Sequence, residues 1–224
     1  MGIILSRYSE LLLTAMGKTL ILALYGLLFA CIIGLFFGLL SVVNNKVCNA
    51  ISIVFVYTIR GVPMIVLAYF IFFGIPALVN ALFGAGTLLL TALQAGTICL
   101  ALNCGAYMAE IIRAGIQSVD IGQMEAARSV GLPYWRAMWR VVLPQAIKTM
   151  IPSIINQFII TLKDTSILSI IGFPELVNAA KTVNANEGKI FETWSIVAIM
   201  YLIVITALSV LAKYVERRMN RGRK

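Results

Sequence analysis

The apolar run over residues 19–43 contains no charged residue and is the feature that most restricts how this chain can fold. A bilayer core is about 30 Å thick, so a helix needs about 20 apolar residues to cross it. A backbone in lipid must also satisfy its own hydrogen bonds, which a helix does within one segment. Further mostly apolar runs cover about 51–74, 91–112, 148–171 and 194–212. The pattern predicts an all-α membrane protein with five transmembrane helices.

Composition supports this interpretation and excludes a soluble globular domain. Hydrophobic residues make up 61% of the chain and charged residues 12%, and the mean hydropathy is +0.96. In a soluble protein the formal net charge of +9 would suggest nucleic acid binding. Here the basic residues flank apolar runs, so the positive-inside rule accounts for the charge and we expect no nucleic acid partner.

The distribution of basic residues also predicts orientation. With the C-terminus and the polar loop at about 113–147 inside, twelve Lys and Arg residues lie inside and four outside. This bias favours a cytoplasmic C-terminus, and five spans then place the N-terminus outside. The expected organisation is an N-terminal interfacial segment at 1–18, a membrane domain at 19–212 and a basic cytoplasmic tail at 213–224. The first apolar run is too long for a cleavable signal and is expected to remain as a span.

The loop at 113–147 is the longest polar interruption in the chain. Asp120, with Gln123 three residues later, predicts a capping-box variant that starts a helix. Gly131 is expected to end that helix in a left-handed conformation, and Pro133 fits the first turn of a second helix rich in Trp and Arg. A compact, capped element between spans indicates either a docking surface or an amphipathic loop on the headgroups, and composition fits both.

Two further patterns concern the shape of the spans. Residues 60–63, Arg-Gly-Val-Pro, interrupt the second apolar run and predict a kink or a local opening of the helix. Ala30, Gly34 and Gly38 form a row of small residues that would let another helix approach closely. The alternative for this row is that glycine is simply common in membrane helices.

Residue content excludes several kinds of chemistry. The sequence has no histidine, and its four cysteines form no CxxC pair, so we expect no metal site. Gly17-Lys18-Thr19 superficially resembles a phosphate-binding loop, but Leu12 stands where that motif requires glycine. ATP that powers this protein is therefore expected to be hydrolysed by another chain, and this chain is expected not to be an enzyme.

A set of spaced motifs resembles one family of transport proteins. Glu125-Ala126-Ala127, followed by Gly131, Val141 and Leu143-Pro144, is similar to the EAA signature of importer-type ABC permeases. Over roughly residues 15–213 the chain resembles the polar amino acid branch of this family, which is of histidine/glutamine type. The motifs that carry this closer resemblance are residues 106–110, 113–116, 122–123, 60–63 and 163–166.

The resemblance implies the fold of a type I ABC importer transmembrane domain and the import of a polar amino acid across the bacterial plasma membrane. It implies that the polar loop is a coupling helix seated in an ABC ATPase subunit, through Glu125, Ala126, Ala127, Arg128 and Gly131. ATP and Mg²⁺ would bind the partner ATPase, and this chain would bind no cofactor. The other implied partners are a second permease subunit, an extracellular or periplasmic substrate-binding protein and membrane lipid. The alternative is a self-sufficient channel or secondary transporter, against which five spans without an evident internal repeat argue.

Polar groups at membrane depth supply the candidate site, because such groups are costly in lipid and mark pathways. A polar amino acid carries an ammonium and a carboxylate, so its site needs an acid, a base and neutral donors. We expect Asp164 to meet the ammonium. The full set of substrate or pathway residues is Asn103, Tyr107, Asn156, Gln157, Thr161, Lys163, Asp164, Thr165 and Ser166. The expected gate residues are Arg60, Gly61, Pro63 and Glu110.

Structural roles remain open for these residues. The amides and Tyr107 could form interhelical hydrogen bonds instead of binding substrate. Lys163 could face the substrate carboxylate or form an ion pair with Asp164. Glu110 could be a partner of Arg113 or Arg60 as well as a substrate contact.

Overall fold

The computed structural model describes residues 2–220, and the side-chain surroundings of residues 2–214 and 216. Residues 221–224 of the expected basic tail lie outside the described residues. Within residues 2–220 the chain is helical, and its stretches long and apolar enough to cross a membrane are Gly2–Leu40, Met64–Phe83, Ala92–Gln117, Tyr134–Ile171 and Ile190–Tyr214. The prediction of an all-α protein with five membrane helices is confirmed, although several bounds differ from the expected ones.

The first difference is at the N-terminus, where one helix, α1 (Gly2–Leu40), replaces the expected interfacial segment and separate first span. At about 1.5 Å per residue this helix is about 58 Å long, roughly twice the thickness of a bilayer core. Ile4 and Leu12 are buried against the C-terminal helices of the bundle. Arg7 lies inside this helix and forms an ion pair with Glu187 at 3.1 Å. Packing thus extends α1 through the charged region.

The middle of α1 packs very closely on α5 (Ala92–Gln117), which starts in a capping box at Thr91. A Cβ atom built on Gly34 would lie 2.4 Å from the Cβ of Met108, and one built on Gly38 would lie 2.8 Å from the Cβ of Ile112. The prediction that the small-residue row admits another helix is confirmed. The tight contact makes α5, whose residues are mostly buried, the central helix of the bundle.

The second apolar run is broken where the sequence predicts. Helix α2 (Lys46–Gly61) ends, Val62 is extended with φ −99° and ψ 128°, and α3 (Met64–Tyr69) begins after Pro63. The residue before a proline disfavours the helical region, which explains the extended Val62. The apolar span, expected at 51–74, lies at Met64–Phe83.

This span continues beyond its expected end because the chain tolerates Pro76. A π-helical turn (Phe70–Gly74) joins α3 to α4 (Ile75–Phe83), with the proline at the start of α4. The wider turn accommodates a residue that lacks an N–H and would clash with the preceding turn.

The polar loop begins with α6 (Ile121–Ser129), and Asp120 is its N-cap, as predicted. The Asp120 carboxylate accepts a hydrogen bond from Gly122 N at 2.6 Å, whereas the Gln123 side chain accepts one from Gln145 rather than closing a capping box. Gly131 has φ +88°, which confirms the predicted left-handed conformation.

The second helix of the loop does not end before Pro144. It begins as α7 (Tyr134–Ala137), widens into a π-helical turn (Met138–Val142) and continues as α8 (Leu143–Asp164). The wider turn accommodates the proline at the start of α8. The span expected at 148–171 is therefore the second part of one long helical segment.

After α8 the chain forms a 3₁₀ turn (Thr165–Ile171) and reverses at Gly172, which has φ +77°. It returns as α9 (Leu176–Glu187) beside the first half of α1, and α10 (Ile190–Asn220) follows. Glu175 is fully buried at the start of α9 and accepts hydrogen bonds from the backbone of α9 and from the Tyr201 hydroxyl. Thr19 accepts a hydrogen bond from Leu176 N at 3.1 Å.

Candidate functional site

Two adjoining cavities lie along α5, on the side where α2 breaks. The first, here called the Asp164 cavity, has a volume of about 480 Å³. The second, the Glu110 cavity, has a volume of about 620 Å³ and extends along α2 towards the α6 end of α5. Both volumes fall within the range typical of small-molecule sites, about 300–1,000 Å³.

The Asp164 cavity is built by three segments of the chain. Asn103 and Tyr107 project from one face of α5, and Gln157 and Asp164 project from one face of α8. The broken segment between α2 and α3 closes the remaining side. The structure thus brings together seven of the predicted residues: Asn103, Tyr107, Gln157, Asp164, Arg60, Gly61 and Pro63.

The other candidates on α8 and the following turn do not line this cavity. Asn156 and Lys163 are exposed on the neighbouring stripe of the helix. Thr161 and Thr165 are buried, and their hydroxyls donate to the carbonyl oxygens of Gln157 at 3.0 Å and Leu162 at 2.7 Å. The Ser166 hydroxyl donates to the Lys163 carbonyl at 2.7 Å.

The side chains lining the Asp164 cavity have few partners within the protein. In the part of the chain that the structure describes, Asp164 forms no ion pair with Lys163 and no hydrogen bond through its carboxylate. Asn103 has only a weak acceptor, Met64 Sδ at 3.8 Å. Because unpaired polar groups at membrane depth are costly, their orientation into a cavity indicates contact with water or a ligand.

Glu110 is in the opposite situation, since its carboxylate is occupied. Arg113 donates to both of its oxygens, with Nε–Oε2 at 3.1 Å, and the Arg113 Nη1 donates to Gln117 at 2.7 Å. Among the partners that the sequence left open for Glu110, the structure shows Arg113. This acid and this base therefore satisfy each other on the wall of the Glu110 cavity.

Arg60 and Tyr107 lie where the two cavities meet, because both residues line both cavities. The guanidinium carbon of Arg60 stands 4.9 Å from the centre of the Tyr107 ring, a cation–π contact. Arg60 is in the last turn of α2, where the helix dipole favours a positive charge. Helix α2 is itself held on α1 by Phe55, whose ring stacks on that of Phe37 at 3.8 Å.

Sequence reasoning missed the part of the Glu110 cavity that α2 supplies. Asn49, Ile53, Val56 and Arg60 recur at steps of three and four residues and line it together. This helical spacing was available in the sequence.

The predicted coupling residues form an exposed surface outside the spans. Glu125, Ala126, Arg128 and Gly131 are exposed, whereas Ala127 is buried. The surface also has large apolar side chains that sequence reasoning did not single out, since Ile121 is 74% exposed and Val130 is 80% exposed. An apolar patch on a capped helix outside the membrane is typical of a protein interface.

The Trp-bearing helix adds to this surface. Trp135 and Trp139 are about two-thirds exposed, so they are not packed against the body of the protein. The two Trp side chains therefore do not anchor the second helix of the loop by burial in the protein.

Comparison with known proteins gives concordant results in sequence and structure. The family described as "Binding-protein-dependent transport system inner membrane component" matches residues 26–221. The glutamine transport system permease protein GlnP of Escherichia coli is 35% identical over 210 residues, covering 94% of this chain and 93% of the relative. The probable amino-acid permease protein YxeN of Bacillus subtilis is 37% identical over 210 residues, covering 94% and 92%. A crystal structure of an amino acid ABC transporter with histidines superposes with a TM-score of 0.87 at 36% identity, covering 96% of this chain and 97% of that one.

Proposed function

The chain belongs to the family of binding-protein-dependent transport system inner membrane components, and on this premise we propose that it moves a polar amino acid into the cell. It is a multi-pass permease subunit of a bacterial ABC importer in the inner membrane. The relatives named for glutamine and amino-acid transport support an amino acid as the transported molecule. The excess of basic residues on the side of α6 supports a cytoplasmic C-terminus and an outer N-terminus.

The observation that carries the proposal is the set of free polar groups in the Asp164 cavity. An acid, two amides and a guanidinium converge there from three segments, and within the described residues none of them forms an ion pair. An α-amino acid presents one ammonium and one carboxylate on the same carbon, so it complements such a site. Asp164 is proposed to bind the ammonium, with Asn103 and Gln157 as neutral contacts.

A second permease subunit, identical or related, is proposed to complete the pathway. Both cavities are open at one side, and Asn156 and Lys163 are exposed next to the polar face of α8. A second subunit packed on this face would bring these two residues into the pathway. The roles predicted for Thr161, Thr165 and Ser166 in substrate binding stay predictions.

The exposed surface of α6 is proposed to dock on an ABC ATPase subunit, which would bind the ATP and Mg²⁺. Ile121 and Val130 supply apolar contact area, and Glu125 and Arg128 supply charges on the same helix. A substrate-binding protein at the outer face is the remaining proposed partner. A self-sufficient channel or secondary transporter is the alternative, and it would leave this apolar cytoplasmic surface without an occupant.

The test is ATP-driven uptake by the assembled importer in proteoliposomes. Asp164→Asn removes the charge that is proposed to pair with the ammonium, and hydrogen bonds to charged groups contribute roughly 1.5–3 kcal/mol. We expect the KM for the amino acid to rise about tenfold or more while the subunits remain assembled. Glu10→Gln is the matched control, since Glu10 is an exposed carboxylate of α1.

Two outcomes would contradict the proposal. Unchanged affinity of the Asp164→Asn importer would make the acid structural. Uptake by this chain alone, without an ATPase subunit, would favour the channel or secondary transporter.

A further inference from the structure

Arg60 is the cation through which the substrate can be recognised at its other end. Among the described residues it is the single Lys or Arg that lines the Asp164 cavity. Lys163, the sequence-based candidate for the carboxylate, is exposed on a different stripe of α8 and does not line that cavity. Arg113 is engaged by Glu110 and Gln117 in the neighbouring cavity.

Within the described residues the Arg60 guanidinium forms no hydrogen bond and no ion pair, and it stands 4.9 Å from the centre of the Tyr107 ring, on the wall of the cavity that Glu110 also lines. A ring face attracts the charge but satisfies none of the five N–H donors of a guanidinium. A carboxylate satisfies two of them in a bidentate pair, which is the stronger interaction. A carboxylate that enters the Asp164 cavity therefore competes with Tyr107 for Arg60 and is favoured.

The backbone next to Arg60 allows the side chain to change partners. Helix α2 ends at Gly61, Val62 is extended and Pro63 has no N–H to bond. A Cβ atom built on Gly61 would have nothing within 4 Å, so this segment has open space around it. Glu110 lines the neighbouring cavity together with Arg60. Both of its oxygens already accept hydrogen bonds from Arg113, so it is a weaker competitor for the guanidinium than a free carboxylate would be.

We propose that Arg60 binds the α-carboxylate of the transported amino acid, and that its departure from Tyr107 opens the passage between the Asp164 cavity and the Glu110 cavity. This inference rests on the proposed function and adds a specificity determinant to it. Asp164 and Arg60 then hold the two charges that all free amino acids share. The paired side chains of Arg60 and Tyr107 keep the passage closed until that carboxylate arrives.

The first experiment is equilibrium binding of labelled L-glutamine to the purified permease–ATPase complex, without a binding protein, in competition with L-glutamine α-carboxamide. The wild type should prefer the free amino acid by about tenfold or more, in line with the loss of a charge-assisted bond. Arg60→Gln should lose this preference, and Arg60→Lys should keep part of it. Lys46→Gln, at the opposite end of α2, is the control for charge removal and should behave as wild type.

The outcomes separate this inference from the proposed function. If Arg60→Gln keeps the wild-type preference while Asp164→Asn weakens binding, the role of Arg60 is rejected and the proposed site stands. If neither variant changes binding, both are rejected. Subunit assembly is checked on the same samples by size-exclusion chromatography, and Arg60→Lys, which keeps the charge, gives a second measurement if Arg60→Gln fails to assemble.

The second experiment tests the closure through Tyr107. Proteoliposomes loaded with labelled L-glutamine are followed for efflux in the absence of ATP and binding protein. Tyr107→Leu removes the ring face and should raise the leak severalfold, whereas Tyr107→Phe keeps it and should leave the leak at the wild-type level. Equal leaks from both variants, or none from Tyr107→Leu, would overturn the closure.

Discussion

A substitution at Gly131 is expected to act through backbone strain alone. Its φ of +88° lies in the left-handed region, and an added Cβ would have nothing within 4 Å. The turn is closed by hydrogen bonds from Gly131 N to Arg128 O at 2.9 Å and from Leu132 N to Ala127 O at 3.2 Å. This pattern is a Schellman motif. A side chain here therefore causes no clash and adds only backbone strain.

The strain sets the size of the expected effect. A left-handed conformation costs an L-residue about 1–2 kcal/mol, and Asn tolerates it better than other residues. A β-branched residue is the least tolerant. One to two kcal/mol changes an equilibrium between ordered and disordered loop by roughly 5- to 30-fold. We expect coupling to fall in the order Gly, Asn, Ala, Val at position 131.

The assay is substrate-stimulated ATPase activity in proteoliposomes, with subunit stoichiometry measured on the same sample. Gly131→Val should leave the spans inserted, weaken ATPase association and abolish stimulation, and Glu125→Lys on the exposed face of α6 should do the same. Gly17→Ala is the matched control, because Gly17 lies inside α1 with nothing within 4 Å of an added Cβ. If Gly131→Val and Glu125→Lys associate and couple normally, the loop is a headgroup-bound connector and not a coupling element.

Two further predictions concern helix packing and the break. Gly34→Ala should destabilise the purified protein by about 1–3 kcal/mol, because the new Cβ would lie 2.4 Å from Met108 Cβ; a thermal midpoint no lower than that of Gly17→Ala would refute this. Pro63→Ala should reduce uptake and ATPase coupling more than it reduces the amount of protein in the membrane, because it removes the constraint that keeps α2 and α3 apart. Equal loss of activity and protein level, measured by uptake and immunoblot, would make the break a folding feature.

Local features of the chain were predictable from sequence where one residue type decides the outcome. Asp120 caps α6, Gly131 adopts the left-handed conformation and Pro63 follows the end of α2. Helix bounds were less predictable, because they depend on partners distant in sequence. Residues 1–18 were expected to form a separate interfacial segment, yet from Gly2 onwards they belong to α1, and Arg7 among them pairs with Glu187, 180 residues later.

In the candidate site, too, local spacing was predictable from the sequence, whereas features that depend on tertiary packing were not. Gln157 and Asp164 are seven residues apart, so helical spacing puts them on one face of α8, and both line the cavity there. Lys163 was a candidate because it directly precedes Asp164 in the chain and could pair with it or with the substrate carboxylate, but the packing of α8 leaves it exposed on the neighbouring stripe. Arg60 reaches the cavity because α2 breaks and packs beside α5, and this placement depends on tertiary contacts.

The buried carboxylate of Glu175 has a consequence for the order in which the segments of the protein reach their final structure during synthesis. The start of α9 needs Thr19, made long before it, and the Tyr201 hydroxyl, made 26 residues after Glu175. Because chains emerge from the ribosome N-terminus first, α9 leaves it before the residue that completes its cap. Before Tyr201 is in place, the donors that the described residues give the buried Glu175 carboxylate are the backbone N–H groups of Val177 and Asn178, and an incompletely paired acid is costly among apolar helices. The segment between the fourth and fifth spans therefore completes its hydrogen bonds only after α10 has been inserted.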